Sequence, residues 1–411
     1  MTRRGKLTLA LGLLAYGVAW LFGAKVLYPA ATGLVLAPLG ARAWVRLAAA
    51  PIELRRRAGR GAHVEGDDVW VTIQASPSSR VPLPSLGLLE RVSRLGERRI
   101  VLRRDGRSYR GTYVLEHVPR GRYVVDRATA AIEDPFGLAR SEVELKAGGA
   151  LVVYPRLVAL SGLFSESGAH AQDGRRLLLR RPSGFDLHSV REYVEGESLR
   201  KVHWASTARR GRLMVKELED SPRDEVAVVL DAEEAGVVGE SLDVAVRAAG
   251  SILHSHAARG RRAVLVVNGT PPSSVPVVSL EGDWLAALEV LAAVEPGATV
   301  PVVELLAREG GAASRALELV VVTSRLTAAL ARKLAQRAQA SHGVSLVWID
   351  SASFAGRPTA VEPELLRLQA VGIPVAVVRH GDDLRAVLGG AAAAARAPVR
   401  APVRAPVRAN G

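Results

Sequence analysis

The chain has 411 residues, 48% of them hydrophobic and 23% charged, which supplies material for sizeable cores and excludes wholesale disorder. It has no cysteine, so disulfides, thiolate metal sites, iron–sulfur clusters and cysteine nucleophiles are excluded. The net charge of +14 points first to nucleic acid. However, residues 1–60 carry ten Lys/Arg against Glu53, residues 391–411 carry four Arg and no acid, and the 330 residues between them balance to +1. A nucleic-acid partner is therefore not expected.

In chain order, Leu7–Ala24 is an uncharged run of 18 residues and Val26–Ala41 a second run of 16. About 17–20 apolar residues span a bilayer core. Residues 1–50 are therefore predicted as two transmembrane helices, the second extending through Trp44 and Val45 with Arg42 snorkelling to the interface. Arg3, Arg4 and Lys6 precede the first run, and Arg55, Arg56, Arg57 and Arg60 follow the second. The positive-inside rule puts both flanks, and both termini, in the cytoplasm. The expected location is the cell membrane, multi-pass, with membrane lipid as a partner, and residues 51–62 read as a basic juxtamembrane linker.

Residues 63–155 read as a small antiparallel β-sandwich. Val69–Ala75, Arg98–Arg104, Gly111–Val118, Arg122–Ile132 and Ala150–Pro155 are β-branched or aromatic runs, separated by turn signals such as Asp105-Gly106 and Arg120-Gly121. Leu86–Leu95 reads as helix or loop. Residues 156–182 form a connector. From Val226, Val/Leu-rich strands ending at Asp231, Asn268, Ser324, Asp350 and Arg379 alternate with helical spacing over Ser241–Ala258, Asp283–Ala293, Leu326–Ala340 and Glu362–Ala370. That alternation predicts an α/β fold with a parallel sheet covered on both faces. Residues 389–411 repeat A-P-V-R three times and read as a disordered tail, or as a basic arm touching anionic lipid.

No phosphate cradle, zincin or nucleophile-elbow motif is present. The densest polar constellation is Ser183–Asp220, where Arg191, Arg200, Arg209 and Lys216 interleave with Glu192, Glu195, Glu197 and Glu217 around Phe185, Tyr193 and Trp204. Three readings stand. The arginines pair with carboxylates and lock the segment onto the α/β domain, or Arg191, His203 and Arg209 face a cleft and grip an anionic ligand or partner. In the third, His203 and a glutamate perform acid–base catalysis.

Residues 183–220 resemble the signature of the domain of unknown function 58 family. The match runs through Gly184, Phe185, Arg191, Tyr193, Gly196, Glu197, Arg200, Val202, Trp204, Thr207, Ala208, Arg209, Val215, Lys216 and Glu217, with Asp186 breaking the expected hydrophobic pair. DPFGL (Asp134–Leu138) and VYPR (Val153–Arg156) resemble the same family. The resemblance implies a von Willebrand factor A-like (Rossmann-type) domain over 183–388. Such domains often hold a divalent metal through D-x-S-x-S. Here the stretch reads DAEEA, and Asp231, Glu233 and Glu234 form a degenerate remnant, so no metal and no cofactor are expected. The resemblance also implies a cytoplasmic protein partner of the MoxR-type AAA+ ATPase class, in assembly or maturation of another complex. The expected function is a non-enzymatic, membrane-anchored interaction scaffold, with Arg191, Tyr193, Arg200, His203, Trp204, Arg209 and Lys216 as partner-binding candidates. The alternative is a hydrolase acting on an envelope-related or phosphorylated substrate through residues 183–220.

Overall fold

The computed structural model describes residues 1–49, 51–59, 61–78, 85–146, 148–169, 187–193, 202, 204–218, 226–308, 311–340, 342–358 and 362–390. It divides into two compact units, Met1–Tyr154 and Pro155–Gly411.

The first unit opens with two helices, α1 (Arg3–Leu21) and α2 (Leu27–Ala48). They pair closely, since a Cβ on Gly12 would stand 2.9 Å from the Leu34 Cβ. Tyr16 and Tyr28 meet edge to face with centroids 5.2 Å apart. The expected transmembrane hairpin is corrected here: among the described residues no helix is long and apolar enough to cross a membrane. The reason lies in where the helices begin and end. α1 takes Arg3, Arg4 and Lys6 into its first turns and stops at Leu21, and α2 carries Pro38, Arg42 and Arg46 inside its length. The uncharged stretches left within single helices, Leu7–Leu21 and Leu27–Ala41, fall below the roughly 17 residues a span requires. The multi-pass membrane location rested on the same two runs and falls with them.

The start of α1 is fastened to the DPFGL turn. The Thr2 N–H donates to Leu138 O at 3.0 Å, and Thr2 Oγ1 donates to Gly137 O at 2.7 Å and accepts from Gly5 N at 3.1 Å. Asp134, 5% exposed, shapes that turn by accepting from Phe136 N at 2.9 Å and Ala139 N at 2.5 Å. A Cβ on Gly5 would overlap Leu138 O, so only glycine fits there.

Nine strands follow: β1 (Ile52–Ala58), β2 (His63–Val64), β3 (Val69–Pro77), β4 (Ser85–Val92), β5 (Gly96–Asp105), β6 (Ser108–Leu115), β7 (Gly121–Glu133), β8 (Arg140–Leu145) and β9 (Ala150–Tyr154). Their order is β1-β3-β6-β5-β4-β7-β9-β2, with β8 also on β7. Residues 52–58, read from sequence as linker, are thus the first strand, and Leu86–Leu95 falls largely in β4. The 13-residue β7 carries both β9, along Gly121–Val124, and β8, along Ala128–Glu133. Inward residues alternate with exposed ones, as a one-sided sheet requires. Val71, Ile73, Leu88, Leu102, Ala130 and Ile132 line the core, which α2 joins through Val45 and Ala48. A charged pair reaches into that core. Glu90 is fully buried, and Arg56 Nε donates to its Oε1 at 2.6 Å.

In the second unit, α3 (Phe164–Ala169) precedes an antiparallel pair, β10 (Leu187–Glu192) and β11 (Met214–Leu218), with α4 (Trp204–Arg210) between them in sequence. A six-stranded sheet follows: β12 (Val226–Leu230), β13 (Ala263–Val267), β14 (Ser273–Val277), β15 (Glu318–Thr323), β16 (Gly343–Ile349) and β17 (Val375–Val378). The order is β14-β13-β12-β15-β16-β17, parallel except for β14, an antiparallel edge strand that the sequence pattern did not reveal. Helices cover both faces: α5 (Ser241–Ala258), α6 (Trp284–Ala293), α7 (Val302–Ala307), α8 (Ala312–Arg315), α9 (Ala328–Gln339), α10 (Ser351–Phe354), α11 (Pro363–Ala370) and α12 (Leu384–Leu388). Val228 and Leu230 pack into the core containing α5, while Ala227 and Val229 pack into the core containing α9. This two-sided burial is why β12 reads as an unbroken apolar run.

Candidate functional site

The chain leaves β12 toward β13 on one side and returns through β15 on the other, so the carboxyl ends of these strands lie at the point where the strand order reverses. Four polar side chains stand at or just beyond the strand ends: Asp231 after β12, Asn268 after β13, Thr323 at the end of β15 and Asp350 after β16. All four are almost fully buried.

Asp231 is 4% exposed and held by three donors. Asn268 Nδ2 reaches its Oδ1 at 2.7 Å, the Glu233 N–H reaches the same oxygen at 3.0 Å, and Thr323 Oγ1 reaches Oδ2 at 2.7 Å. Asn268 also accepts from the Ala232 N–H at 2.6 Å and donates to Val300 O at 3.2 Å. Thr323 Oγ1 accepts from Arg325 N at 2.9 Å. The carboxylate therefore accepts from the loops that follow three strands, twice at Oδ1 and once at Oδ2. At the rim, Glu233 pairs with Arg325 at 2.6 Å, and exposed Glu234 opens the short turn Glu234–Gly236. A Cβ on Gly236 would lie 2.5 Å from Ser324 Oγ, so this turn and the loop after β15 approach too closely for a side chain. Among the described residues, no group of three or more His, Cys, Asp or Glu could hold a metal ion.

Replacing Thr323 with valine keeps its shape and removes the Asp231 Oδ2 donor. A hydrogen bond to a charged group is worth about 1.5–3 kcal/mol. Thr323→Val is expected to destabilise the second unit by that amount, read as a lowered urea midpoint.

Farther along the same edge, Asp350 takes Arg379 Nε at 3.6 Å. A cavity of about 220 Å³ opens beside it, lined by Glu240, Val244, Arg247, Phe354, Arg379, His380, Gly381, Asp382 and Leu384. Its lining mixes the apolar Val244, Phe354 and Leu384 with two arginines and two acids, Glu240 and Asp382.

The sequence-derived candidates lie elsewhere in this unit. Arg191 belongs to β10 and Lys216 to β11, one register position apart, with Arg191 opposite Val215 and Val190 opposite Lys216. Tyr193 closes that ladder, its N–H donating to Leu213 O at 2.9 Å. Trp204 begins α4 with 67% of its surface exposed, and Arg209 sits exposed in the last turn. Glu192 pairs with Arg212 at 2.8 Å on the surface. Thr207 has a structural task, accepting from the Met214 N–H at 3.0 Å and so tying α4 to β11. Arg200 and His203 lie outside the described residues.

Asn268, Thr323, Arg325 and Asp350 were not singled out from the sequence. The signal was present: each apolar strand of the sheet's centre ends in a polar residue, as in AVLVVN, LVVVT and VWID.

Comparison with known proteins gives one curated relative. The chain is 27% identical over 278 residues, 64% of its own length and 67% of the relative's, to the uncharacterized protein YeaD of Bacillus subtilis (strain 168). Among solved structures, Cwp6 from Clostridium difficile aligns with 73% of this chain and 38% of its own, at 8% identity and a TM-score of 0.19. The Pseudomonas fluorescens alkylpurine DNA glycosylase AlkC, bound to DNA, aligns with 29% of this chain and 38% of its own, at 13% identity and a TM-score of 0.15. This chain spans well under half of either, and at such scores neither bears on fold or function. The region from β10 through α10, residues 189–353, matches the family model described as Protein of unknown function DUF58.

Proposed function

We propose that this chain is a non-enzymatic protein-docking module, with its second unit of the von Willebrand factor A-like type and its docking edge at the carboxyl ends of β12 and β15. The observation that carries the reading is the state of Asp231. Three donors within 3.0 Å bind its carboxylate, so it ties together the loops that make this edge. Glu233, Glu234 and Arg325 then present a charged rim that a partner could read. The strand order, with one antiparallel strand at the edge beside β13, supports the type of fold. The family resemblance supplies the partner class, a MoxR-type AAA+ ATPase.

The test is titration of the full chain against a purified MoxR-type ATPase from the same organism, with nucleotide present, followed by calorimetry. A complex is expected, weakened at least about tenfold by Glu233→Arg, which reverses one rim charge and costs about 1 kcal/mol or less in stability. No complex in either nucleotide state would overturn the reading.

A further inference from the structure

The cavity beside Asp350 is lined by charged groups that the protein leaves unmatched. Arg379 Nε stands 3.6 Å from Asp350 Oδ2, and its two terminal nitrogens carry no hydrogen bond among the described residues. A guanidinium with both terminal nitrogens unclaimed is a fork shaped for a carboxylate. On the acidic side, the Glu240 carboxylate has no ion-pair or hydrogen-bond partner among the described residues. Asp382 accepts the Arg379 N–H at Oδ2, 2.8 Å away, which leaves its Oδ1 unclaimed. Glu240 and Arg247 lie two turns apart on α5, about 10 Å along the axis, with Val244 between them. Donors and acceptors thus line one cavity without satisfying one another.

The wall that carries Arg379 is fixed in place. The Asp382 N–H donates to Arg379 O at 3.2 Å, which closes the turn after β17. The His380 N–H donates to Ser353 Oγ at 2.9 Å, and that hydroxyl donates to Asp350 O at 2.6 Å, so the turn is tied to α10. Phe354 and His380 meet edge to face with centroids 5.3 Å apart. A site held in shape before its ligand arrives pays less ordering entropy on binding. The volume of about 220 Å³ limits the occupant. At about 30 Å³ per water it holds about seven waters, and a ligand displacing them has on the order of ten non-hydrogen atoms.

We propose that this cavity binds a small zwitterion of the α-amino-acid type with an apolar side chain. Its carboxylate takes the Arg379 fork, its ammonium takes Glu240 and Asp382 Oδ1, and its side chain lies against Val244, Phe354 and Leu384. A simple anion would meet the two acids unpaired, and a simple cation would meet the arginines, so a ligand carrying both charges is the one the lining selects. Leucine has the required size. No lining residue belongs to the docking edge at β12 and β15, and binding of an amino acid needs no partner protein, so either reading can fail without the other.

The test is isothermal calorimetry of the full chain with L-leucine near neutral pH. Saturable binding is expected at or below about 1 mM. N-acetyl-L-leucine lacks the ammonium and L-leucinamide lacks the carboxylate, and each should bind at least about tenfold more weakly. Arg379→Lys keeps a positive charge beside Asp350 but removes the fork, and should weaken leucine binding at least about tenfold. Glu240→Gln removes one ammonium partner and should weaken it about fivefold. Because that carboxylate holds no other group, the Tm of Glu240→Gln should match the parent. If Arg379→Lys does not fold by circular dichroism, Glu240→Gln and the two leucine derivatives decide the matter. Absence of saturable leucine binding, either derivative binding as tightly as leucine, or unchanged affinity in the folded variants would each overturn the proposal.

Discussion

Replacing Arg56 with alanine is expected to destabilise the first unit by about 3–5 kcal/mol, the cost of stranding one charge of a buried pair. Glu90 is fully buried, and the Arg56 side chain is 11% exposed. Without Arg56, Glu90 keeps the Tyr113 hydroxyl at 3.2 Å as its remaining hydrogen-bond donor among the described residues. Burial, followed by the Glu90 charge beside it, pushes the Tyr113 phenol above its usual range, so it stays protonated and keeps donating. One neutral donor does not offset a desolvated carboxylate. The double variant Arg56→Met, Glu90→Leu removes both charges together and should cost far less, since a buried pair exchanged for apolar side chains is often close to neutral. Urea unfolding of both variants, followed by tryptophan fluorescence, separates the cases. A loss below about 1 kcal/mol for Arg56→Ala would show that Glu90 is hydrated or protonated.

Acidification should weaken the second unit through His256. This residue on α5 is fully buried, and its Nδ1 faces Arg261 Nη1 at 3.2 Å. Among the described residues its Nε2 has no hydrogen-bond partner. Arg261 pairs with Glu318 at 2.6 Å, and Arg259 pairs with Glu166. Burial lowers the His256 pKa to about 4, with Arg261 and Arg259 adding to the effect and Glu318 and Glu166 opposing it. The folded imidazole thus stays neutral where the unfolded one, near 6.5, takes up a proton. Between those values the unfolded state binds more protons, so stability falls as the pH drops through that window. The loss is about 3 kcal/mol by pH 4. The measurement is the pH dependence of the urea midpoint, wild type against His256→Leu. The variant should lose this component of the slope, and identical slopes would overturn the prediction.

The second unit was the more legible in sequence. Its central strands are buried on both faces, so Val226–Leu230 and Leu319–Val322 leave unbroken apolar runs, and Ser241–Ala258 keeps its helical period. The antiparallel β14 escaped because SSVPV mixes two serines with an exposed proline and sits at an edge. In the first unit the charge pattern misled. The run Arg55, Arg56, Arg57 reads as the flank of a membrane span, yet it is a strand whose middle residue turns inward to Glu90 while its neighbours face out. Period two was present there, hidden because all three positions carry the same residue type. The site at the strand ends was half legible. Asp231 was marked by its motif, but its partners Asn268 and Thr323 are 37 and 92 residues away, and no local pattern joins them.

The tie between Thr2 and the turn at Leu138 spans 136 residues, and it makes the first unit hard to divide. A fragment that begins after α1 leaves the carbonyls of Gly137 and Leu138 without their donors, and one that ends before Asp134 leaves the first helix without its anchor. The strands between them are enclosed by this clasp in the way pages are enclosed by a binding. Limited proteolysis should therefore spare the unit while the clasp is closed, and removal of the first residues should make the turn at Leu138 more susceptible to cleavage.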